Sequence, residues 1–343
     1  DLFMPEEAPS TEPAPTQEPA PVPAPSSDEE PPAIDLPIET FDLDIAITKF
    51  FAREIAISNY VTKIAIKRSQ VNVDPVSLTF NGAPINAKAL LNLGVPGYEY
   101  DVALKIDRLQ IKPLVDSFVP EYKNKVAGEL LTDIGIKGKG ITGANLQKHL
   151  NGHVQTTLTN AVANVLEKGI TMKTVAAILQ APEIMEPPLD YLNTSIQIGH
   201  GMANIENFIV QSASFQATAK GTVTIDQVLT NSALNIPVGI ALSKNLIRNF
   251  KVSGGDPNAK YTPLPEFVTI KGTVGAHETE IKKGKLLALA AQAGFAAPKN
   301  LVDGAIGAAA GLGAKADDTI SKLTGGTVDK LTGGAVGGLF TKL

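Results

Sequence analysis

The sharpest chemical motif in the sequence is the glycine run Gly138-Lys139-Gly140-Ile141-Thr142-Gly143, which has GxGxxG spacing. In dinucleotide-binding proteins such glycines let the backbone approach a pyrophosphate at the start of a helix. That site also needs a preceding strand that is apolar throughout, because the strand is buried in a parallel sheet. Here the preceding segment alternates, with Glu129, Asp133 and Lys137 on one face. We therefore interpret the glycines as a tight connection between a strand and a short helix, and we predict no cofactor.

Histidines are the next candidates for metal binding or proton transfer. There are four of them: His149, His153, His200 and His277. The first two are four residues apart, which would place them on one helical face, but an Asn-Gly pair lies between them and indicates the end of a helix. The chain has no cysteine, which excludes thiolate ligands and thiolate nucleophiles. We predict surface histidines and no metal site.

Hydrolytic and phosphate-binding motifs are missing as well. Neither GxSxG nor GxxxxGK[ST] occurs, and no serine, histidine and aspartate have the spacing of a triad. The close carboxylate pairs, Asp42 with Asp44 and Glu6 with Glu7, lie in an alternating polar pattern and in a Pro-rich segment. Acid–base catalysis needs a carboxylate whose pKa is shifted by burial, and this pattern gives no sign of one. The sequence therefore predicts a protein that is not an enzyme and has no catalytic residues.

Charge and composition divide the chain into three parts. The first 40 residues contain ten acidic and no basic side chains, and the rest carries a net charge of +5. That weak excess is spread widely, so we predict no nucleic-acid partner, whereas attraction to anionic lipid headgroups remains open. Residues 1–37 are rich in Pro, Ala and Glu and predict a disordered linker: either a spacer from a membrane or a terminus with no specific task. Residues 284–343 are rich in Ala and Gly and predict a helical or disordered tail.

The remaining body, residues 38–283, alternates between apolar and polar side chains, as half-buried strands do. The pattern begins with Phe41, Leu43, Ile45 and Ile47 and recurs about a dozen times, with Gly, Asn or Pro turns between the repeats. Since most strands follow one another without a helix, the body is predicted to be an antiparallel meander. Short helices are predicted at Pro113–Phe118, Ala144–Leu150, Ile170–Leu179 and Leu286–Phe295. The fold class is mainly β with a few short helices.

A sheet that alternates in this way has one apolar and one wet face, and the apolar face must be covered by protein or by a ligand. The residues predicted to line it are Leu43, Ile45, Ile47, Ile64, Ile66, Leu78, Phe80, Val102, Leu104 and Ile106. Acyl chains could cover this face, at about 0.8 kcal/mol per buried CH₂. The same residues could equally form the dry core of a β-sandwich. The alternation is consistent with both a lipid-covered face and a packed core.

An ordered series of motifs resembles the C-terminal region of the AsmA family. The segments are FDLDIAITKFF, VNVDPVSLTFNGAPINA, ALKIDRLQIKPLVDSF, GELLTDIGIKGKGITGANLQKHLNG and FQATAKGTVTID, in this order. The resemblance covers about residues 38–275, and the Pro-rich start and the Gly-rich end lie outside it.

The resemblance implies a long, curved antiparallel sheet, a trough or incomplete barrel, similar to those of bridge-like lipid-transfer proteins. It implies a periplasmic protein associated with the inner membrane through a segment absent here. Its expected partners are a phospholipid or another acyl lipid, the bacterial membrane, and envelope proteins that contact the tails. The implied role is lipid binding or conduction in outer-membrane biogenesis or integrity. The alternative is a structural scaffold or protein-interaction module with a closed β core and no lipid.

Overall fold

A computed structural model of the chain describes residues 29–163, 181–247 and 258–292, together with Ala176 and Leu179. Fourteen strands dominate these residues. They are β1 (Thr40–Ala52), β2 (Ile55–Lys67), β3 (Gln70–Phe80), β4 (Ala83–Asn92), β5 (Glu99–Gln110), β6 (Val126–Lys139), β7 (Asn151–Ala163), β8 (Leu189–Gly199), β9 (Met202–Ser212), β10 (Phe215–Thr224), β11 (Ala233–Ser243), β12 (Tyr261–Pro263), β13 (Val268–Thr273) and β14 (His277–Ile281).

All fourteen strands belong to one antiparallel sheet whose order follows the sequence from β1 to β11 and continues with β13 and β14. The short β12 lies outside this order and pairs with β11, as β13 does. β1 and β14 are the two edges, so the sheet does not close into a barrel. The predicted β-rich antiparallel fold is confirmed.

Tight turns and bulges explain how the chain forms this meander. The turn between β3 and β4 is Asn81-Gly82, and both residues have positive φ, 46° and 88°, as a two-residue hairpin turn requires. Register shifts interrupt β2 near Asn59 and β3 between Val73 and Val76. Bulges of this kind bend a strand and increase its twist, so they curve the sheet.

The connections lie along two opposite rims. We call upper rim the side with the connections at 68–69, 93–98, 140–150, 200–201, 225–232 and 274–276. We call lower rim the opposite side, where β1, β3, β5, β7, β9 and β11 end. Four helices are described: α1 (Lys112–Phe118), α2 (Gly143–His149), α3 (Lys244–Ile247) and α4 (Lys283–Gln292). Three short 3₁₀ turns complete the set: Pro120–Tyr122, Pro182–Ile184 and Leu229–Asn231.

Three of the four predicted helices have a described counterpart in α1, α2 and α4. The fourth, Ile170–Leu179, lies outside the described residues except for Ala176 and Leu179, both of which are buried. The predicted linker and tail also fall mostly outside the described residues. None of the described helices is long and apolar enough to cross a membrane.

Candidate functional site

One face of the sheet is apolar from β1 to β13. Residues paired directly across neighbouring strands share a face, and so do alternate residues of one strand. One row of paired side chains on this face runs Leu43, Ile64, Val73, Ala89, Val102 and Ile136 from β1 to β6. The next row runs Ile45, Thr62, Val76, Ala87, Leu104, Ile134, Val154 and Ile196 from β1 to β8. We call this surface the apolar face.

All ten residues predicted to line the face lie on it. Leu43, Ile45 and Ile47 alternate along β1, Ile64 and Ile66 pair with them from β2, and Leu78 and Phe80 extend the same face on β3. Val102, Leu104 and Ile106 do so on β5. The face continues through residues that the sequence analysis did not single out, such as Ile134, Ile136, Val154, Ile196 and Phe208. The signal that would have found them is the same alternation, carried on into β6–β9.

The opposite face is polar. Its cross-strand pairs include Asp44 with Lys63, Asn86 with Lys105, Lys105 with Asp133 and His153 with Gln197. The Lys63 Nζ to Asp44 Oδ1 distance is 3.9 Å, and both side chains are well exposed. Such ion pairs contribute little stability, about 0–1 kcal/mol. The sheet therefore separates an apolar from a polar surface along its whole length.

Over β1–β9 the apolar face is accessible. Leu43, Ile47 and Val102 are each 39 % exposed, and the other seven candidate residues are partly exposed. Phe208 on β9 is 37 % exposed. Side chains sealed under a second layer would be nearly inaccessible. We call β1–β9 the open part; within the described residues no second sheet lies over it, although at the lower rim α1 reaches the β1–β2 turn, where the Arg53 side chain donates to Ser117 O.

At β10, β11 and β13 protein covers the same face. Phe215, Ile240, Leu242 and Val268 are only 0–4 % exposed and belong to one cluster with Leu289 of α4. Leu179, Ile184, Leu264 and Phe267 complete this packing. Hydrogen bonds fix the cover, because the Tyr261 hydroxyl donates to Ser212 O at 2.7 Å and the Ser214 hydroxyl to Glu183 O at 2.9 Å. We call this region the covered end; it gives the apolar face one closed and one open terminus.

A short polar row crosses the apolar face. Thr132, Thr156 and Thr194 are paired neighbours on β6, β7 and β8, between Ile106 on one side and Phe208 on the other. The Thr132 and Thr156 Oγ1 atoms are 3.5 Å apart, which is long for a hydroxyl hydrogen bond. Hydroxyls both donate and accept, so this row is a place where the face can meet a polar group of a ligand.

The chemical motifs of the sequence lie away from the apolar face. Gly138–Gly143 joins β6 to α2 at the upper rim, and β6 pairs antiparallel with both neighbours, unlike the strand of a dinucleotide-binding unit. His149 ends α2, and His153 lies on the polar face with its Nε2 3.1 Å from Asp133 Oδ1. The described part of the chain contains no group of three or more potential metal ligands.

Comparison with known proteins gives one finding. No curated protein and no solved structure matches the chain. The model of the AsmA family matches residues 5–234, about two thirds of the chain. The match begins inside the Pro-rich segment, earlier than the motifs quoted above, and ends in β11. With this match and its long open antiparallel sheet, the chain belongs to the AsmA family, a family of envelope proteins.

Proposed function

We propose that this protein is a non-enzymatic, periplasmic component of the bacterial envelope that binds or conducts lipid along the apolar face. The observation that carries the proposal is the accessibility of ten paired aliphatic and aromatic side chains over the open part. Contiguous exposed apolar surfaces of soluble proteins mark sites that bind partners, membranes or ligands. We further propose association with the inner membrane and a role in outer-membrane biogenesis or integrity.

The dimensions of the open part suit an acyl chain. Neighbouring strands are about 4.8 Å apart, so the eight spacings from β1 to β9 extend over about 38 Å. The hydrocarbon core of a bilayer is about 30 Å thick, so the chains of one leaflet reach about 15 Å. A lipid tail lying along the rows therefore fits within the open part with room for a second.

The energetics favour a lipid over a small polar ligand. Burying ten CH₂ groups provides about 8 kcal/mol, before the entropy lost on association. A polar cofactor would find few partners here, because most side chains on the apolar face of β4–β9 are apolar, and the polar ones include Tyr100, the three threonines and the buried Ser212. The threonine row can accommodate ester oxygens of a diacyl lipid while the tails lie on Leu and Ile side chains.

Native mass spectrometry of the protein purified from bacterial membranes tests the proposal, together with extraction of bound lipid. A second assay measures transfer of an acyl-labelled phospholipid from vesicles of phosphatidylethanolamine and phosphatidylglycerol to the lipid-free protein. We expect bound phospholipid in the first and saturable capture in the second. A lipid-free protein that also fails to capture the labelled lipid contradicts the proposal.

The covered end favours a second candidate function. There the sheet and α4 form a packed core of the kind a scaffold needs, and the segments at either end of the chain could contact envelope proteins. A scaffold would hold no lipid, so the same two assays separate the candidates.

A further inference from the structure

Residues 29–39, in front of β1, follow the upper rim back toward β6. The Glu30 carboxylate lies at the start of α2, the Gly97 amide donates to Pro31 O at 2.9 Å, and the Ile34 amide donates to Leu93 O at 2.8 Å. The Arg68 amide donates to Glu39 O at 3.2 Å. This segment thus contacts three upper-rim connections in turn: 140–150, 93–98 and 68–69.

The Glu30 carboxylate is the most heavily bonded group of the segment. It accepts the Ile141 amide at 2.9 and 3.1 Å, the Thr142 amide at 3.0 Å, the Thr142 hydroxyl at 2.5 Å and the Asn145 side-chain amide at 2.7 Å. Thr142 is the N-cap residue of α2, yet its hydroxyl caps no helix amide. The charge-assisted bonds to Glu30 use it instead.

Two glycines leave the space that the carboxylate fills. A Cβ on Gly97 would lie 2.2 Å from Glu30 Oε2, and a Cβ on Gly140 would lie 2.5 Å from Glu30 Oε1. Both glycines also have positive φ, 73° and 80°. Gly140 is the second glycine of the GxGxxG run, so these glycines allow the loop to approach an anionic group, and that group is a carboxylate of the same chain.

We propose that residues 29–39 form a rim strap, latched by Glu30, that ties the three upper-rim connections together and moves the exit of the N-terminal segment from β1 to β6. β1 and β6 are five spacings apart, about 24 Å. Ten residues span at most about 33–36 Å when extended, so the strap reaches this distance without being fully extended. The strap braces the upper rim of the open part and fixes where the acidic segment leaves the sheet.

The pKa of Glu30 agrees with this geometry. Partial burial of the carboxylate raises its pKa. The hydrogen bonds lower the pKa by more, first the bond from the Ile141 amide and then those from Thr142 and Asn145. As a result the pKa of Glu30 falls from 4.5 to about 2. The strap forms without bound lipid, so it can be tested in the lipid-free protein.

Hydrogen exchange of the full chain at neutral pH tests the latch, with Glu30→Gln compared with its neighbour Glu29→Gln as a control of equal charge. Glutamine has one acceptor oxygen in place of two and no charge to strengthen the remaining bonds, so we expect Glu30→Gln to raise the exchange rates of the Ile34, Gly97, Ile141 and Thr142 amides at least tenfold. Glu29→Gln should leave them unchanged. Unchanged exchange at Ile34 and Gly97 in Glu30→Gln would overturn the proposal, because the strap would then be held without its latch.

The exit point has its own readout. Because the chain contains no cysteine, cysteines introduced at the exposed Pro32 and Lys148 can be spin-labelled cleanly. We expect a narrow distance distribution between the labels with Glu30 present and a broad one in Glu30→Gln, with an unchanged circular dichroism spectrum as the folding control. Equal distributions in both proteins would also overturn the proposal.

Discussion

Val102→Glu, compared with Val61→Glu, separates lipid binding on the apolar face from general surface effects. Val102 lies on the apolar face of β5, where it pairs with Ala89 and Ile136. Val61 lies on the polar face of β2, where it pairs with Ala46 and Ser77. Their exposures are 39 % and 41 %. The two substitutions therefore introduce the same charge at equally accessible valines on opposite sides of one sheet.

The expected effect follows from the contacts that a bound chain loses. A carboxylate at position 102 keeps its water, so an acyl chain must leave that part of the face and give up about three or four CH₂ contacts. At about 0.8 kcal/mol each the loss is about 3 kcal/mol, or on the order of 100-fold in affinity. Both carboxylates are solvated in the lipid-free protein, so each variant should change the free energy of unfolding by about 0.5 kcal/mol or less.

Capture of acyl-labelled phospholipid from vesicles measures the affinity, and urea denaturation measures the stability. We expect Val102→Glu to lose capture, and Val61→Glu to behave like the unsubstituted protein. Equal capture by both variants, with both folded, would refute the assignment of the lipid site to this face. If Val102→Glu instead unfolds the sheet, the residue belongs to a packed core and the open-face account is wrong.

Three further predictions follow from the structure. Leu289→Ala should lower the free energy of unfolding by about 2–4 kcal/mol, because Leu289 is 2 % exposed in the covered end. Leu43 is 39 % exposed, so Leu43→Ala should lower the free energy of unfolding by less than about 1 kcal/mol, as is usual for surface positions. Urea denaturation measures both values. Gly97→Ala should broaden the Pro32–Lys148 label distance, because its Cβ would collide with Glu30, whereas Gly82→Ala, which has similar positive φ but nothing within 4 Å of its Cβ, should not; equal behaviour would argue for backbone strain alone. The bound Glu30 carboxyl has a lower pKa than a free one, so the strap should be fully latched above about pH 4.5 and should loosen as the pH falls toward about 2; the same label pair measures this, and Glu30→Gln should show no such transition.

Much of the sheet could be predicted because the apolar side chains keep a period of two. In β1, in β4 and in β5 as far as Ile106 the alternation is uninterrupted, and cross-strand pairing places the predicted residues on one face. Where a bulge adds a residue, the parity changes. In the sequence, β2 and β3 therefore each look like two short alternating segments. In the structure each is one strand with a register shift. β9 lacks a regular alternation for the same reason, because a shift between Ser195 and Ile196 in its pairing with β8 separates Ile205 from Phe208 by three residues.

The rim strap could not be predicted from local pattern. Glu30 is one of ten acidic residues in a Pro-rich segment, and its nearest bonded partner, Ile141, is 111 residues away. No periodicity connects two such positions. The covered end was also hidden, because the sequence indicates that α4 is helical but does not show that Leu289 joins the buried cluster that contains Leu242.

Photo-crosslinking from two adjacent positions of β5 measures directly which face of the sheet contacts lipid. A photoreactive amino acid replaces Leu104, on the apolar face, or Lys105, on the polar face, and the protein is illuminated with a radiolabelled diacyl phospholipid. If lipid binds on the apolar face, position 104 gives a lipid adduct and position 105 gives only background. Adducts of equal yield at both positions, or none at position 104, would contradict it.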